Sequence, residues 1–323
     1  MSRATIPDAR QPAQTADAVL MVRPASFGWN PDTAASNRFQ GTRPVVDADL
    51  PSRALVEFDR LAAELAAAGV EVHALADRTD PPCPDAVFPN NWVSLHADGT
   101  AVLYPMLAPS RRRERRLDLL TELEQRGGFR VERLIDLTHH EIAGRFLEGT
   151  GSVVFDHVAR VAYACLSPRS DAAVLDDLCG ELAYATVAFN AAGPDGAPIY
   201  HTNVMLAIGR SFAVVCAEAV AADERRALLE RLGGGGRHVE TITAAQMVQF
   251  AGNLLELRNA TGAGVLAVSQ RGWDSLAPDA RARLASVVSR VVAVPVPAIE
   301  DAGGGSVRCM LAEVFLPRRP RSS

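Results

Sequence analysis

The stretch Ala86–Tyr104, AVFPNNWVSLHADGTAVLY, sets the reading of the fold. Ala86–Leu95 reads as a strand, His96-Ala97-Asp98-Gly99 as a tight turn, and Thr100–Tyr104 as a returning strand. Asp-Gly is a strong hairpin signal because the turn needs positive φ. Pro89 cannot donate to a ladder, so the first strand carries an edge or a bulge there. The same unit recurs as Gly151–Phe155, a turn at 157–159 and Arg160–Cys165, and again as Tyr200–Ile208, a turn at 209–211 and Phe212–Ala217. A helical pattern follows each hairpin: Ser110–Arg126, Ser170–Ala183 and Ala221–Leu232. Upstream lie a strand from Ala18 stopped by Pro24, a helix Ser52–Ala68 closed by Gly69, and a strand Val70–Leu75. Downstream the periodicity predicts helices over Ala244–Leu255 and Pro278–Val291 and a last strand over Met310–Phe315. A strand–strand–helix unit repeating every ~55–65 residues cannot bury its face alone, so the units close a ring or stack. No linker divides the chain, which reads as a tail over 1–16, one α/β domain over 17–318 and a short tail over 319–323.

Composition narrows the chemistry. The 323 residues are 48% hydrophobic and 22% charged, with a net charge of -5. That acidic balance argues against a nucleic-acid partner, which needs a concentrated basic surface. The one basic run, Arg111 to Arg116 interrupted by Glu114, reads as the solvated face of a starting helix. All 33 basic residues are Arg, which excludes Schiff-base lysine chemistry and a lysine P-loop. The five cysteines are odd in number and widely spaced, without CxxC, which argues against a disulfide framework and a structural zinc site. The first residues lack an apolar signal core, and no apolar run is long enough to span a membrane. A cytoplasmic location without membrane attachment is therefore expected. A homo-oligomer is compatible with the sequence, which does not define one.

Four segments carry candidate chemistry. Cys309 follows Gly303-Gly304-Gly305-Ser306-Val307-Arg308 and precedes an apolar strand. A thiol at such a junction is a candidate nucleophile, with Arg308 alongside to favour its thiolate. The bland alternative is a small core residue, the reading given to Cys165 and Cys216. His201, in Tyr200-His201-Thr202-Asn203, opens a hairpin strand and suits a proton shuttle. Glu148, in Leu147-Glu148-Gly149-Thr150-Gly151-Ser152, sits at another hairpin mouth and could orient the His; Glu141 is its rival. His139-His140-Glu141 lacks HExxH spacing, so no metal is expected. Asp85, Asn90 and Asn91 lie in the fourth segment, where paired amides suit a neutral planar polar group, although Asn is also ordinary turn chemistry.

Taken in order, PDAVFPNNW, LEGTGS, YHTN and GGGSVRCM resemble the guanidino-group-modifying superfamily of arginine deiminases, dimethylarginine dimethylaminohydrolases, succinylarginine dihydrolases and amidinotransferases. With the opening MVRPASFGWNPDTAASNRFQ from Met21, they are most similar to its citrulline utilisation hydrolases. The resemblance covers about Ala18 to Pro317. It implies a five-bladed pseudo-symmetric α/β propeller of ββαβ repeats, the pentein fold. It implies Cys309 as nucleophile, His201 as general acid/base and Glu148 as the partner of His201. It implies Asp85 for a substrate α-amino group and Arg169, helped by an Arg such as Arg111, for the substrate carboxylate. The chain departs from arginine deiminases where two aspartates grip the guanidinium: here Asn91 and Asn203 stand. An uncharged amide pair, with Asn90 beside it, fits a neutral urea better than a cation. The expectation is a cofactor-free hydrolase converting citrulline to ornithine, ammonia and carbon dioxide through a Cys309 adduct. Its rivals are an arginine or succinylarginine-type dihydrolase, a deiminase, an amidinotransferase, and a propeller that only binds its ligand.

Overall fold

Each expected hairpin forms, but its first strand starts later than the apolar run suggests. The computed structural model describes residues 13–41 and 47–319. Strands β1 (Ala18–Arg23) and β2 (Glu71–Ala76) flank helix α1 (Leu50–Ala67). Then follow β3 (Val93–Leu95), β4 (Thr100–Leu103), α2 (Leu117–Gly127) and β5 (Arg133–Asp136). Next come β6 (Val154–Asp156), β7 (Val161–Cys165), α3 (Ala172–Leu182) and β8 (Ala185–Phe189). The pattern continues with β9 (Leu206–Ile208), β10 (Phe212–Val215), α4 (Ala222–Leu232) and β11 (His238–Thr241). The last set is β12 (Leu255–Arg258), β13 (Gly264–Ser269), α5 (Pro278–Ser286) and β14 (Arg290–Val294), followed by β15 (Ala312–Val314).

One pairing rule holds throughout. The first strand of a unit runs antiparallel to the second, and the second runs parallel to the third, in β3-β4-β5, β6-β7-β8, β9-β10-β11 and β12-β13-β14. The chain ends supply a further such set, because β15 lies antiparallel to β1 and β1 parallel to β2. A helical crossover is what lets the second and third strands run parallel. The described strands make one six-stranded sheet, β2-β1-β15-β3-β4-β5, and three three-stranded sheets. The larger sheet joins two units through a single pairing, Val314 with Leu95.

Helix α1 shows why the helices dock. Leu50, Ala54, Phe58, Leu61 and Leu65 are buried at three- and four-residue spacing, while Val56, between them, is exposed. The apolar stripe packs with Val19, Met21 and Val70, and each large side chain so buried contributes about 1.5–3 kcal/mol.

Three helix expectations need correction. The one over Ala244–Leu255 is a short helix, Ala244–Val248, and Leu255 opens β12. Phe250 takes φ +64 and ends the helix, so the run Leu254-Leu255-Glu256-Leu257 is a strand. A short apolar run fits either period, which is why the β12–β13 hairpin was not legible. The helix from Pro278 stops at Ser286, and Arg290 opens β14. The stretch after Ser110 splits into a 3-10 turn, Arg111–Glu114, and α2, because Arg115 and Arg116 are extended. The expected tail over 1–16 falls largely outside the described residues, but Gln14, Thr15 and Ala16 are buried. Gln14 Nε2 donates to the Phe155 carbonyl at 3.0 Å and its Oε1 accepts from His157 N–H at 2.9 Å. All five cysteines are free. Among the described residues no helix is long and apolar enough to cross a membrane.

A buried histidine pair gives the fold a pH signature. His96 Nε2 lies 2.7 Å from Ser94 Oγ, and His157 Nδ1 lies 2.8 Å from Tyr184 Oη. Burial pushes His96 down to about 4 and His157 down to about 3, from an ordinary 6.5. Both are held neutral in the folded state. Their stabilisation is therefore complete above 6.5 and is lost as pH falls from there through about 4 and about 3. The cost at about pH 4.5 is roughly 2–3 kcal/mol per group. His157→Phe, which keeps the stack on Phe155, is expected to lose less stability between neutral pH and about pH 4.5 than the parent in urea titrations. Parallel losses would rule this assignment out.

Candidate active site

The tight turns that delay the first strands carry the candidate side chains. Pro89–Asn91 precedes β3, Gly149–Ser152 precedes β6, Thr202–Val204 precedes β9 and Val307–Met310 precedes β15. Asn91 lies in the first, Glu148 caps the second, His201 and Asn203 begin the third, and Cys309 lies in the fourth. All of these side chains are buried, and they meet.

His201 Nε2 lies 2.8 Å from Glu148 Oε2. The same oxygen accepts from Arg169 Nη1 at 3.2 Å, and Arg111 Nη1 stands 3.8 Å away. Glu148 Oε1 accepts from the Leu107 N–H at 3.1 Å. Burial alone would raise Glu148, but Arg169, the His201 hydrogen bond and Arg111 together hold its carboxyl well below the usual carboxylate range. Burial pushes His201 down to about 4 against the opposing pull of Glu148. His201 is thus neutral at rest, with the anionic Glu148 hydrogen-bonded to its ring. Its Nδ1 faces the turn at Gly151, where a Cβ would lie 2.8 Å from Nδ1 and 2.4 Å from Asn91 Nδ2. Only glycine leaves both nitrogens that space.

Cys309 Sγ receives two amide donors, Asn253 Nδ2 at 3.3 Å and Asn203 Nδ2 at 3.5 Å. Among the described residues no hydrogen bond joins Cys309 to His201. One expectation around the thiol changes. The Arg308 guanidinium does not face the sulfur; it pairs with Glu313 at 3.1 Å and donates to the Leu311 carbonyl at 2.9 Å. The glycine run gives its room to an aromatic ring, since a Cβ on Gly305 would sit 2.8 Å from Phe88.

Arg111 is the largest departure from the sequence reading. Composition places it on a solvated face and the resemblance places it in the site; it is buried and grips Glu114 through two bonds of 3.0 and 2.8 Å. Its Nη1 donates to Asn91 Oδ1 at 2.8 Å. Arg has no acceptor, so this bond fixes the amide: Asn91 turns its Oδ1 to Arg111, and its buried Nδ2 has no partner among the described residues. Among the described residues both side-chain polar atoms of Asn90 are likewise unpartnered, as is Asp85 Oδ1. Asp85 Oδ2 accepts from Asn30 Nδ2 at 2.8 Å, and burial pushes Asp85 up against the pull of Arg111. Arg169 donates also to Ser36 Oγ at 2.6 Å and to the Thr33 carbonyl at 3.2 Å, and it lies over the Tyr200 ring.

Glu141 is not a second partner for His201. It binds Arg115 and accepts from the Met106 N–H at 2.8 Å. His140 points instead to Asp177, 2.9 Å away. Among the described residues no cluster of His, Cys, Asp and Glu could hold a metal ion. Sequence reading missed Asn30, Glu114 and Asn253. It also gave no role to the polar run Asn30–Gln40, which lies across the site: Asn30 reaches Asp85, Ser36 reaches Arg169, and Asn37 Nδ2 donates to the Gly303 carbonyl at 3.1 Å.

Known structures share this fold. A variant of the N-terminal domain of ArgZ, covalently bonded to a reaction intermediate, superposes with a TM-score of 0.70 at 18% identity over 93% of this chain and 99% of that one. ArgZ is described as an arginine dihydrolase from the ornithine–ammonia cycle in Cyanobacteria. An AgrE variant in complex with L-arginine gives a TM-score of 0.71 at 18% identity, over 94% of this chain and 41% of that one. A dimethylarginine dimethylaminohydrolase variant carrying an S-methyl-L-thiocitrulline adduct gives 0.62 at 16% identity, over 92% and 99%. No curated protein matches the chain by sequence. Residues 23–316 match the family described as N,N dimethylarginine dimethylhydrolase, eukaryotic. The chain belongs to that family and is a hydrolase of carbon–nitrogen bonds other than peptide bonds.

Proposed function

We propose that the protein hydrolyses the ureido carbon–nitrogen bonds of citrulline through a covalent Cys309 intermediate, yielding ornithine, ammonia and carbon dioxide. The observation that carries this reading is the orientation of Asn91. With its oxygen taken by Arg111, it offers the site a donor, Nδ2. A ureido oxygen accepts from that donor; a guanidinium, all N–H, would meet it donor to donor. Asn203, at the thiol, adds an amide and no counter-charge. A desolvated cation would lack the partner it needs.

In this mechanism the Cys309 sulfur attacks the ureido carbon and its proton passes to His201. The carbonyl π pair moves onto oxygen, toward the Asn91 donor. The intermediate collapses with cleavage of one C–N bond, and the His201 proton goes to the departing nitrogen. Water, deprotonated by His201, then attacks the thiocarbamate; sulfur leaves, and the carbamate decomposes to amine and carbon dioxide. Glu148 orients His201 and stabilises the imidazolium. Asp85 Oδ1 and Asn90 serve the substrate α-amino group, while Arg169 with Ser36, and Arg111, serve its carboxylate. These roles fit a ring-like arrangement in which the five ββαβ pairings are the blades of a propeller and their turns meet at its axis.

A second reading, hydrolysis of arginine, is favoured by the shared fold with ArgZ and AgrE. Citrulline, arginine, succinylarginine and methylated arginines, each assayed for ammonia, citrulline and ornithine, separate the two. The expected result is ornithine from citrulline at a kcat/KM at least ~10-fold above that for any guanidine, a margin of about 1.4 kcal/mol. Faster turnover of arginine or a methylated arginine would reject the citrulline reading.

A further inference from the structure

We propose that Asn253 belongs to the thiol site and stabilises the thiolate that Cys309 forms when it gives up its proton. The inference rests on the reading of Cys309 as nucleophile. Asn253 sits at the entrance to β12, in the turn left by Phe250. It stands where Asn91 stands before β3 and Cys309 before β15, so all five pairing units bring a turn to the site. The residue is fully buried and each of its side-chain atoms has a defined partner. Its Oδ1 accepts from the Arg308 N–H at 3.1 Å. That bond fixes the amide, and Nδ2 then faces the Asn203 carbonyl at 3.0 Å and Cys309 Sγ at 3.3 Å. One side chain therefore ties the His201–Asn203 turn to the Cys309 turn and aims an N–H at the sulfur.

A neutral thiol gains little from such a donor. A thiolate gains more, because hydrogen bonds to a charged acceptor are stronger. The Arg308 guanidinium is turned away to Glu313, so the amides of Asn253 and Asn203 are the donors on the sulfur among the described residues. Asn253 thus favours the attacking form of Cys309 and fixes the direction in which its sulfur points.

The test is alkylation of Cys309 by iodoacetamide, followed by mass spectrometry of its peptide across pH in the intact enzyme. Asn253→Ala removes the donor. Asn253→Asp keeps the volume and the acceptor for Arg308, and carries the test if the alanine variant does not fold. Either variant is expected to alkylate about tenfold more slowly at neutral pH and to approach the parent rate at alkaline pH, where the thiol ionises without help. The kcat is expected to fall in proportion, with KM changed by less than about twofold. Alkylation profiles that superpose on the parent overturn the proposal, as does a slowing that is equal at every pH, the mark of a blocked or misfolded site. The underlying reading fails separately, if Cys309→Ala retains turnover. An inactive Cys309→Ala with unchanged Asn253 profiles rejects the role of Asn253 alone.

Discussion

Cys309→Ala is expected to lower the rate of ammonia release from citrulline by at least ~10,000-fold, the scale seen when a covalent nucleophile is removed. The side chain loses one buried sulfur, and a deletion of that size costs about 1 kcal/mol or somewhat more. The variant should therefore fold, with a thermal midpoint within a few degrees of the parent. Cys309→Ser is the sharper form. It keeps the size and hydrogen-bonding capacity of the group near Asn203 and Asn253, yet a hydroxyl at neutral pH is far less nucleophilic than a thiol. A purely structural role predicts that serine restores activity. Nucleophilic catalysis predicts that serine stays as inactive as alanine while the fold is retained. Comparison with His201→Ala completes the argument: residues acting as one unit show losses that do not add, so Cys309→Ala with His201→Ala should be little worse than either alone. Near-parent turnover by a folded Cys309→Ser would sink the mechanism.

Much of this site is legible in the sequence because its residues sit at hairpin mouths, where turn chemistry and apolar runs mark the chain. Glu148, His201 and Cys309 each precede a short strand, and the repeat of hairpin and helix draws the eye to them. Their meeting is not legible, since it depends on how the units are arranged and not on any local pattern. Arg111 shows the limit. A run of Arg beside Glu114 has the composition of a solvated helix, and only the extended Arg115 and Arg116 turn that segment inward to pair with Glu114 and Asn91. Asn253 was hidden differently. The left-handed Phe250 separates a five-residue helix from a strand, and a left-handed phenylalanine leaves no trace in apolar periodicity. The Arg308 reading failed for a third reason. Adjacency in sequence to Cys309 says nothing of side-chain direction, and Glu313 draws the guanidinium away.

Exchanging both site amides for carboxylates, Asn91→Asp with Asn203→Asp, is expected to change the ratio of kcat/KM for arginine over citrulline by about 100- to 1,000-fold in favour of arginine. At position 91 one carboxylate oxygen would keep the bond from Arg111 Nη1, now 2.8 Å from Asn91 Oδ1. The other would replace Nδ2, the buried atom without a partner among the described residues. On the citrulline reading, a donor becomes an acceptor at the point where the reacting group docks. Citrulline then sets its ureido oxygen against an anion, while arginine gains a charge-assisted bond. At position 203 the new carboxylate would lie near Cys309 Sγ, where Asn203 Nδ2 is now 3.5 Å away. A neighbouring anion disfavours the thiolate and slows attack on any substrate. That penalty is common to both substrates and cancels in the ratio, which is why the ratio and not the absolute rate is the measurement. Each amide contributes about 1.5–2 kcal/mol of discrimination on this account, so the single variants should each move the ratio by about 13- to 30-fold. A double variant whose ratio stays within about threefold of the parent, less than 1 kcal/mol, would mean that Asn91 and Asn203 do not read the charge of the reacting group. The preference for a neutral urea would then have to come from elsewhere in the site, and hydrolysis of arginine would become the better reading.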